Sequence, residues 1–374
     1  MKSEPLIVMV NPMGYGSLSI YDTNLLEGMD SSEVIYITNK DFNEEIENKV
    51  YRLYSYSRYR MGVLKFISYF FNQIQLYFLI KRLRPSVVHF QWYKWPALDL
   101  IWLKIFQSMN MRVVHTAHNV LPHNSGNRFL KSYSKIYKKL DAIIVHSKTT
   151  REELMTDFGI KGHKIHQIPH GLIEMKVANP YDSELKRKEL HERFDLANKL
   201  VFGMAGGLSE YKGIDLMLDA WKEGDFDKNE NLVLLLAGSM APQYKAKAES
   251  LANCKILDEF LPNADFIGAL KAIDYLVLPY RKISQSGLLL TALNYKIPVI
   301  VSPEGGLRDP FELGQFGYVL DSLSTSSIVK SIQEALNKGD APLSGDWSVL
   351  DRHYSWKTIG AKTTALYHAV TSDS

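Results

Sequence analysis

The sequence predicts an α/β protein built of two doubly wound, Rossmann-like domains. Three observations predict it. Apolar runs of strand length alternate with helical segments through both halves of the chain, the pattern of parallel sheets covered on both faces. A charged stretch containing Pro180 separates two such series. A chain of 374 residues also exceeds what one hydrophobic core organises, so two domains of roughly 150–200 residues each are expected. The expected division is an N-terminal domain over 1–175, a hinge over 176–199, a C-terminal domain over 200–354, and a C-terminal helix over 355–374 that packs back on the first domain.

In the first half the expected strands are Leu6–Val10, Glu33–Ile37, Ser86–Gln91, Arg112–Thr116, Ala142–His146 and Lys164–Ile168. Helices are expected near Met61–Leu83, Ala97–Ser108, Asn127–Lys139 and Thr149–Asp157. The first turn, NPMGYGS, holds Gly14 and Gly16 but no third glycine. It is a poor dinucleotide fingerprint, and reads as a loop that lets backbone approach a ligand, or as a simple turn. In the second half the strands are Leu200–Met204, Leu232–Ala237, Lys255–Leu257, Tyr275–Leu278, Pro298–Ser302 and Tyr318–Leu320, with helices between them.

Composition narrows the class. A hydrophobic content of 46% and a charged content of 23% are those of a globular chain. The single cysteine, Cys254, excludes an intramolecular disulfide and fits a reducing compartment. The opening MKSEPLIVMVNPMG has only a short apolar run, expected as a first strand and not a signal peptide, so a cytoplasmic location is expected.

The net charge of +3 is unevenly spread. Between Tyr51 and Pro85 stand Arg52, Arg58, Arg60, Lys65, Lys81, Arg82 and Arg84 with no acidic residue, interleaved with aromatics. Met61–Ile80 approaches the length of a membrane span, but Lys65, Asn72, Gln73 and Gln75 interrupt it. Such a helix either lies on an anionic leaflet, with Arg58, Arg60 and Lys65 at an acceptor or membrane face, or is a core helix with Phe and Leu inward and the arginines solvated. Nucleic-acid binding is disfavoured because the rest of the chain is not basic.

Two glycine-bearing stretches of the second half carry the chemistry. In LVFGMAGGLSEYKGIDLMLDA, strand Leu200–Met204 passes through Gly206 and Gly207 into a helix, with Lys212 just before it. The first amides of such a helix face the crevice beyond the strand's carboxyl end, where phosphates bind, and Lys212 adds a full positive charge. In DYLVLPYRKISQSGLLLTALNYK, Ser286-Gly287 opens a second helix at the same sheet edge. One diphosphate held from two sides, or two unrelated turns, both agree with this pattern. In the first half RVVHTAHNVLPHN gathers His115, His118 and His123 at a strand end. The spacing is poor for a metal, and His118 is placed instead to hydrogen-bond a sugar hydroxyl or orient an acceptor. Asp225-Phe226-Asp227 has the D-x-D pattern of metal-dependent transferases but reads as a solvated loop.

The series HTAHN, IPHG, GGLSEYKG, SQSGLLLTALNYKIPVIVS and GGLRD, in this order, resembles the retaining GT-B glycosyltransferases of family 4 over nearly the whole chain. The resemblance implies two Rossmann-like domains facing each other across a cleft, a nucleotide-sugar donor held mainly by the second, and no metal or other cofactor. It implies that Lys212 neutralises the donor diphosphate, that amides around Ser286, Gly287 and Leu288 cradle it, and that His118 touches the transferred sugar. Gly14 and Gly16 then lie near the leaving group, and Gly207 in the donor turn. The implied acceptor is a lipid-linked or polysaccharide chain, which together with the basic-aromatic stretch gives a peripheral protein at the inner membrane face. Three positions depart from the pattern: Gly207 stands where the family has arginine, and Ile283 and Thr291 where it has a pair of glutamates. Thr291 retains one hydrogen bond for a donor ribose. These departures also admit a non-catalytic relative that keeps the fold as a binding or assembly partner.

Overall fold

The computed structural model describes residues 5–29, 34–122, 128–339 and 343–372. The chain divides into two compact units, one running to Gly171 and completed by the residues from His353 onward, the other being Leu172–Arg352.

In the first unit the elements are β1 (Ile7–Asn11), α1 (Ile20–Gly28), β2 (Val34–Asn39), β3 (Val50–Tyr54), α2 (Gly62–Leu83), β4 (Val87–Phe90), α3 (Pro96–Ser108), β5 (Arg112–Ala117), α4 (Leu130–Lys139), β6 (Ala142–Val145), α5 (Lys148–Thr156) and β7 (Ile165–Gln167). The second unit holds α6 (Pro180–Arg193), β8 (Leu200–Ala205), α7 (Ile214–Glu223), β9 (Leu232–Ala237), α8 (Pro242–Glu249), β10 (Cys254–Leu257), α9 (Asn263–Lys271), β11 (Tyr275–Leu278), α10 (Gly287–Asn294), β12 (Val299–Val301), β13 (Gly317–Val319) and α11 (Thr325–Lys338). Helix α12 (Trp347–Tyr354) crosses the unit boundary, and α13 (Trp356–Ser372) belongs to the first unit.

The strands form where the sequence runs continuously apolar. VIYITN of β2 and LVLLLA of β9 are buried at every position, as strands covered on both faces must be. The first sheet has the order β3-β2-β1-β4-β5-β6-β7 and the second β10-β9-β8-β11-β12-β13, every pair parallel. Both are doubly wound, Rossmann-like sheets. The order reverses between β1 and β4 in one, and between β8 and β11 in the other. Loops leaving adjacent strand ends diverge at these switch points, and the crevice there is where open α/β sheets bind ligands.

In the first unit, α2, α3 and α4 cover one sheet face, with Leu76, Ile80, Leu103, Phe106 and Ile136 packed into one buried cluster with Val8 and Val88. Helices α1 and α13 cover the other, where Leu25, Ile359 and Tyr367 join Met9 and Val87.

Three expectations change. The stretch 50–54, read as part of a basic-aromatic face, is the edge strand β3; its half-exposed pattern hides the strand period. The segment 176–199, expected as a hinge, carries α6, started by Pro180 in its first turn and by the Asn179 side chain accepting the Tyr181 amide. This helix packs on α9, and the unit boundary falls earlier, at Gly171/Leu172. The third change concerns α2 as a core helix. Its buried face is Tyr69, Asn72, Gln73, Leu76 and Ile80, while phenylalanines point outward. The polar pair is buried because it is bonded: Gln73 donates to Asp99 (3.1 Å) and to Tyr69 (2.7 Å), Tyr69 donates to Asp99 (2.6 Å), and the Ser55 amide donates to Asn72 (3.1 Å). Burial pushes the Asp99 carboxyl up to about 7.

Candidate active site

At the switch point of the second sheet, the loops after β8 and β11 meet. The loop after β8 closes with a short 3-10 turn, Glu210–Lys212, and Gly213 at φ 75°. A side chain at 213 is ruled out twice. The backbone is left-handed, and a Cβ would lie 2.1 Å from the carbonyl oxygen of Pro279. Glycine therefore lets the Lys212 turn abut the end of β11.

Lys212 is half-buried there. Its Nζ stands 5.6 Å from the centroid of the Tyr280 ring, a cation–π geometry, and beside Gly206, where a Cβ would come within 3.1 Å of it. Among the described residues no carboxylate pairs with it, and burial lowers its pKa from the ordinary lysine value. Tyr280 is buried and shares a side-chain hydrogen bond with Ser286. Ser286 is the N-cap of α10, its hydroxyl accepting the Leu289 amide at 3.2 Å. Gly287 is exposed and Leu288 half-buried, and their amides begin α10 at the helix's positive end. Lys212, Ser286, Gly287 and Leu288 are thus brought together around Tyr280.

Two other expected donor contacts fare differently. Gly207 is exposed with open space around it, at the edge of a depression of about 530 Å³ lined also by Ser209, Glu210, Ser239 and Gln243. Among the described residues lining that depression none is a cation. Thr291 is buried, and its hydroxyl donates to the Gly287 carbonyl at 2.9 Å; a threonine inside a helix back-bonds to its own preceding turn, so this side chain is turned away from a ribose.

At the first sheet's carboxyl edge His118 follows β5 and stacks flat on Trp92, with ring centroids 4.9 Å apart at 9°. Tyr21 meets it edge-on at 4.7 Å. His146 ends β6, and its Nδ1 lies 2.9 Å from the Ile168 carbonyl, which only accepts. The proton therefore sits on Nδ1, and the bare Nε2 of neutral His146 stands 3.3 Å from His118 Nδ1. Gln91 Oε1, which only accepts, stands 3.1 Å from His118 Nε2, so neutral His118 carries its proton there. Both ring nitrogens of His118 thus face protein groups. Burial, then the neighbouring histidines His146 and His170, hold its pKa well below the ordinary value, so it is a neutral hydrogen-bonding group. His170 and Trp356 complete the cluster around Tyr21 at 5.0 and 5.4 Å.

Gly14 and Gly16 occupy the loop after β1. A Cβ on Gly14 would come within 2.4 Å of both Thr38 Oγ1 and Tyr36 OH, and the Thr38 hydroxyl donates to the Gly14 carbonyl at 3.2 Å. Tyr36 in turn donates to Asp22 at 2.7 Å, and Asn11 also donates to this buried carboxyl, which burial pushes up to about 7. Gly16 has φ 57° and nothing near it.

The remaining candidates make contacts of their own. Arg58 faces Asp41 at 3.5 Å, and Arg60 and Lys65 stand at the start of α2. His115 bonds to the Phe90 carbonyl at 2.8 Å, and His123 lies outside the described residues. Asp225 and Asp227 pair with Lys228 (2.6 Å) and Lys222 (3.2 Å). Gln91, Trp92, His146, His170 and Trp356 escaped the sequence reading. For His146 and His170 the signal was present: His146 closes the expected strand Ala142–His146, and His170 follows Lys164–Ile168 at the functional edge.

Residues 21–173 match the profile of Glycosyltransferase Family 4, and residues 199–338 that of Glycosyl transferases group 1. Mannosylfructose-phosphate synthase of Agrobacterium fabrum is 24% identical over 197 residues, 50% of this chain and 43% of that protein, so the chain spans less than half of that relative's length. In fold, a glycosyltransferase from Rickettsia africae aligns over 100% of both chains at 14% identity with a TM-score of 0.71. Anabaena HepE in complex with UDP aligns over 98% of this chain and 97% of that one, at 11% identity with a TM-score of 0.63. The two profiles between them cover both Rossmann-like units, and the chain belongs to the family 4, group 1 glycosyltransferases.

Proposed function

We propose that the protein transfers a hexosyl group, with retention and without a metal, from a nucleotide-sugar to a lipid-linked or polysaccharide acceptor, as a peripheral protein at the cytoplasmic face of a membrane. The observation that carries this reading is Lys212, a half-buried ammonium with no carboxylate partner among the described residues, brought together with the first turn of α10 around Tyr280. A cation kept unpaired at the cost of desolvation suits an anionic ligand. That a similarly folded protein, HepE, binds UDP supports a nucleoside diphosphate in that role.

The chemistry asks little covalent work of the protein. As the bond between the sugar's anomeric carbon and the diphosphate breaks, negative charge grows on the departing phosphate oxygen. Lys212 and the Gly287 and Leu288 amides stabilise that charge more in the transition state than in the ground state. The departing oxygen accepts the proton of the acceptor hydroxyl, which forms the new glycosidic bond on the same face of the sugar. His118, neutral, contacts a hydroxyl of the transferred sugar once the Gln91 amide yields its place. The role proposed for Gly14 and Gly16 is backbone contact with the leaving phosphate.

The test is thermal denaturation against a panel of nucleoside diphosphates and nucleotide-sugars, since a ligand that binds only the folded state raises Tm by mass action. One base is expected to raise Tm, and Lys212→Ala to abolish the shift. A well-folded sample that responds to none of them at millimolar concentration overturns the reading and favours the non-catalytic relative, to which Gly207, Ile283 and Thr291 point.

A further inference from the structure

Helix α2 is apolar on both sides. Its inner face sets Tyr69, Leu76 and Ile80 in the core beside the hydrogen-bonded Asn72 and Gln73, while its outer face is a continuous apolar stripe of Val63, Ile67, Phe70, Phe71, Ile74 and Phe78 at spacings of three and four residues. Phe71 and Phe78 are 59% and 62% exposed. Water does not hold such a stripe in place, so something else covers it.

Charge identifies the cover. Arg58, Arg60 and Lys65 stand at one end of the stripe and Lys81, Arg82 and Arg84 at the other, with no acidic residue from Tyr51 to Pro85. Helix α4, packed on the same sheet face, exposes Lys131, Lys135, Lys138 and Lys139, again without an acid. A second copy of this chain is a poor partner. A two-fold contact along the stripe, parallel or antiparallel, sets basic end against basic end. Spanning a bilayer is excluded by the inner face, because Tyr69, Leu76 and Ile80 belong to the buried cluster under the sheet and Gln73 is tied to Asp99. An anionic lipid surface satisfies both features at once: aromatic and aliphatic side chains enter the acyl boundary, and the basic flanks meet the headgroups.

We propose that α2 lies in the plane of an anionic bilayer, about 33 Å long at 22 residues, inserting its phenylalanine stripe while its inner face remains locked in the fold. The inference gives the membrane part of the reading above its surface and does not depend on the donor chemistry. Co-sedimentation of the full chain with phosphatidylcholine vesicles, with and without phosphatidylglycerol, tests it. The wild-type chain is expected to bind the anionic vesicles and to release with added salt. The pair of substitutions F71D and F78D, at exposed positions, is expected to weaken binding about tenfold or more. K81E with R82E is expected to do the same through charge. Wild-type protein left in the supernatant, or F71D/F78D binding as wild type, overturns the proposal. A wild-type dimer in sedimentation equilibrium that F71D/F78D dissociates, with no vesicle binding, overturns it in favour of self-association. Nucleotide-dependent Tm shifts, read on the same samples and expected unchanged in both variants, judge the donor reading separately.

Discussion

Arg281 grips Asp215 with both arms of its guanidinium, Nη1 to Oδ1 at 2.8 Å and Nη2 to Oδ2 at 2.6 Å. The pair joins the loop after β11 to the first turn of α7, three residues beyond Lys212. The same arginine donates its backbone amide to the Tyr211 carbonyl at 2.8 Å and a guanidinium N–H to the Glu210 carbonyl. With Gly213 pressed on Pro279, the turn carrying Lys212 is fixed from three directions. Arg281→Ala is therefore expected to lower kcat/KM for the donor about tenfold or more by loosening Lys212, and Arg281→Lys, which cannot make the fork, to recover only part. In a double variant with Lys212→Ala the two effects are expected to fall short of adding, since both act through one ammonium. Full additivity would assign Arg281 a role independent of Lys212.

Lys212→Ala is expected to reduce kcat/KM by about 10²-fold or more, the scale of losing one preorganised contact to developing charge. Burial lowers the pKa of this lysine, so it loses its proton at lower pH than an exposed one. The alkaline limb of the donor kcat/KM profile is thus expected below the ordinary lysine range, and Lys212→Arg is expected to move it upward. An unchanged profile in Lys212→Arg removes the ammonium from the limb.

The histidines of the first unit make its stability depend on acid. Burial depresses His89 and His146 to about 3 and His115 and His170 to about 4. Each base stays neutral in the fold but takes a proton in the unfolded chain below about 6.5, so its contribution is present above that pH and lost as pH falls toward 4. Asp22 and Asp99, raised to about 7, act oppositely, their contribution being present below about 4 and lost as pH rises through 7. The histidines outnumber the two acids. Tm is expected to fall between pH 6.5 and 4.5, and a flat or rising Tm over that window would mean that these imidazoles are charged in the fold.

The sheets were legible because parallel strands are apolar on both faces; LVLLLA of β9 admits hardly any other reading. Strand β3 was not, since VYRLY is an edge strand with Arg52 outward, and its identity comes from pairing with β2. Of the two readings of α2, the core helix with its phenylalanines inward fails for a related reason. Asn72 and Gln73 look solvated until the Ser55 amide is placed against the first and Asp99, 26 residues beyond Gln73, against the second. The Lys212 turn and the cap at Ser286 were local and readable, whereas the Arg281 fork spans 66 residues. The His118–His146 contact exists only because β6 lies beside β5.

Gly14 and Gly16 are glycines for different reasons, and substitution separates them. At Gly14 a Cβ would collide with Tyr36 OH and Thr38 Oγ1, both buried and both hydrogen-bonded, and the collision would dislodge the hydroxyl that serves Asp22. Gly14→Ala is expected to destabilise the fold by about 1–3 kcal/mol, the cost of overpacking, whatever ligand the loop touches. At Gly16 nothing lies nearby, and the penalty of a Cβ is the left-handed φ alone, about 1 kcal/mol. Gly16→Ala is thus the variant that reports on function. If backbone at this loop approaches the departing phosphate, it is expected to raise the donor KM while leaving Tm nearly intact. An unchanged KM in Gly16→Ala, beside a destabilised Gly14→Ala, would make the loop a packing device and remove it from the donor site.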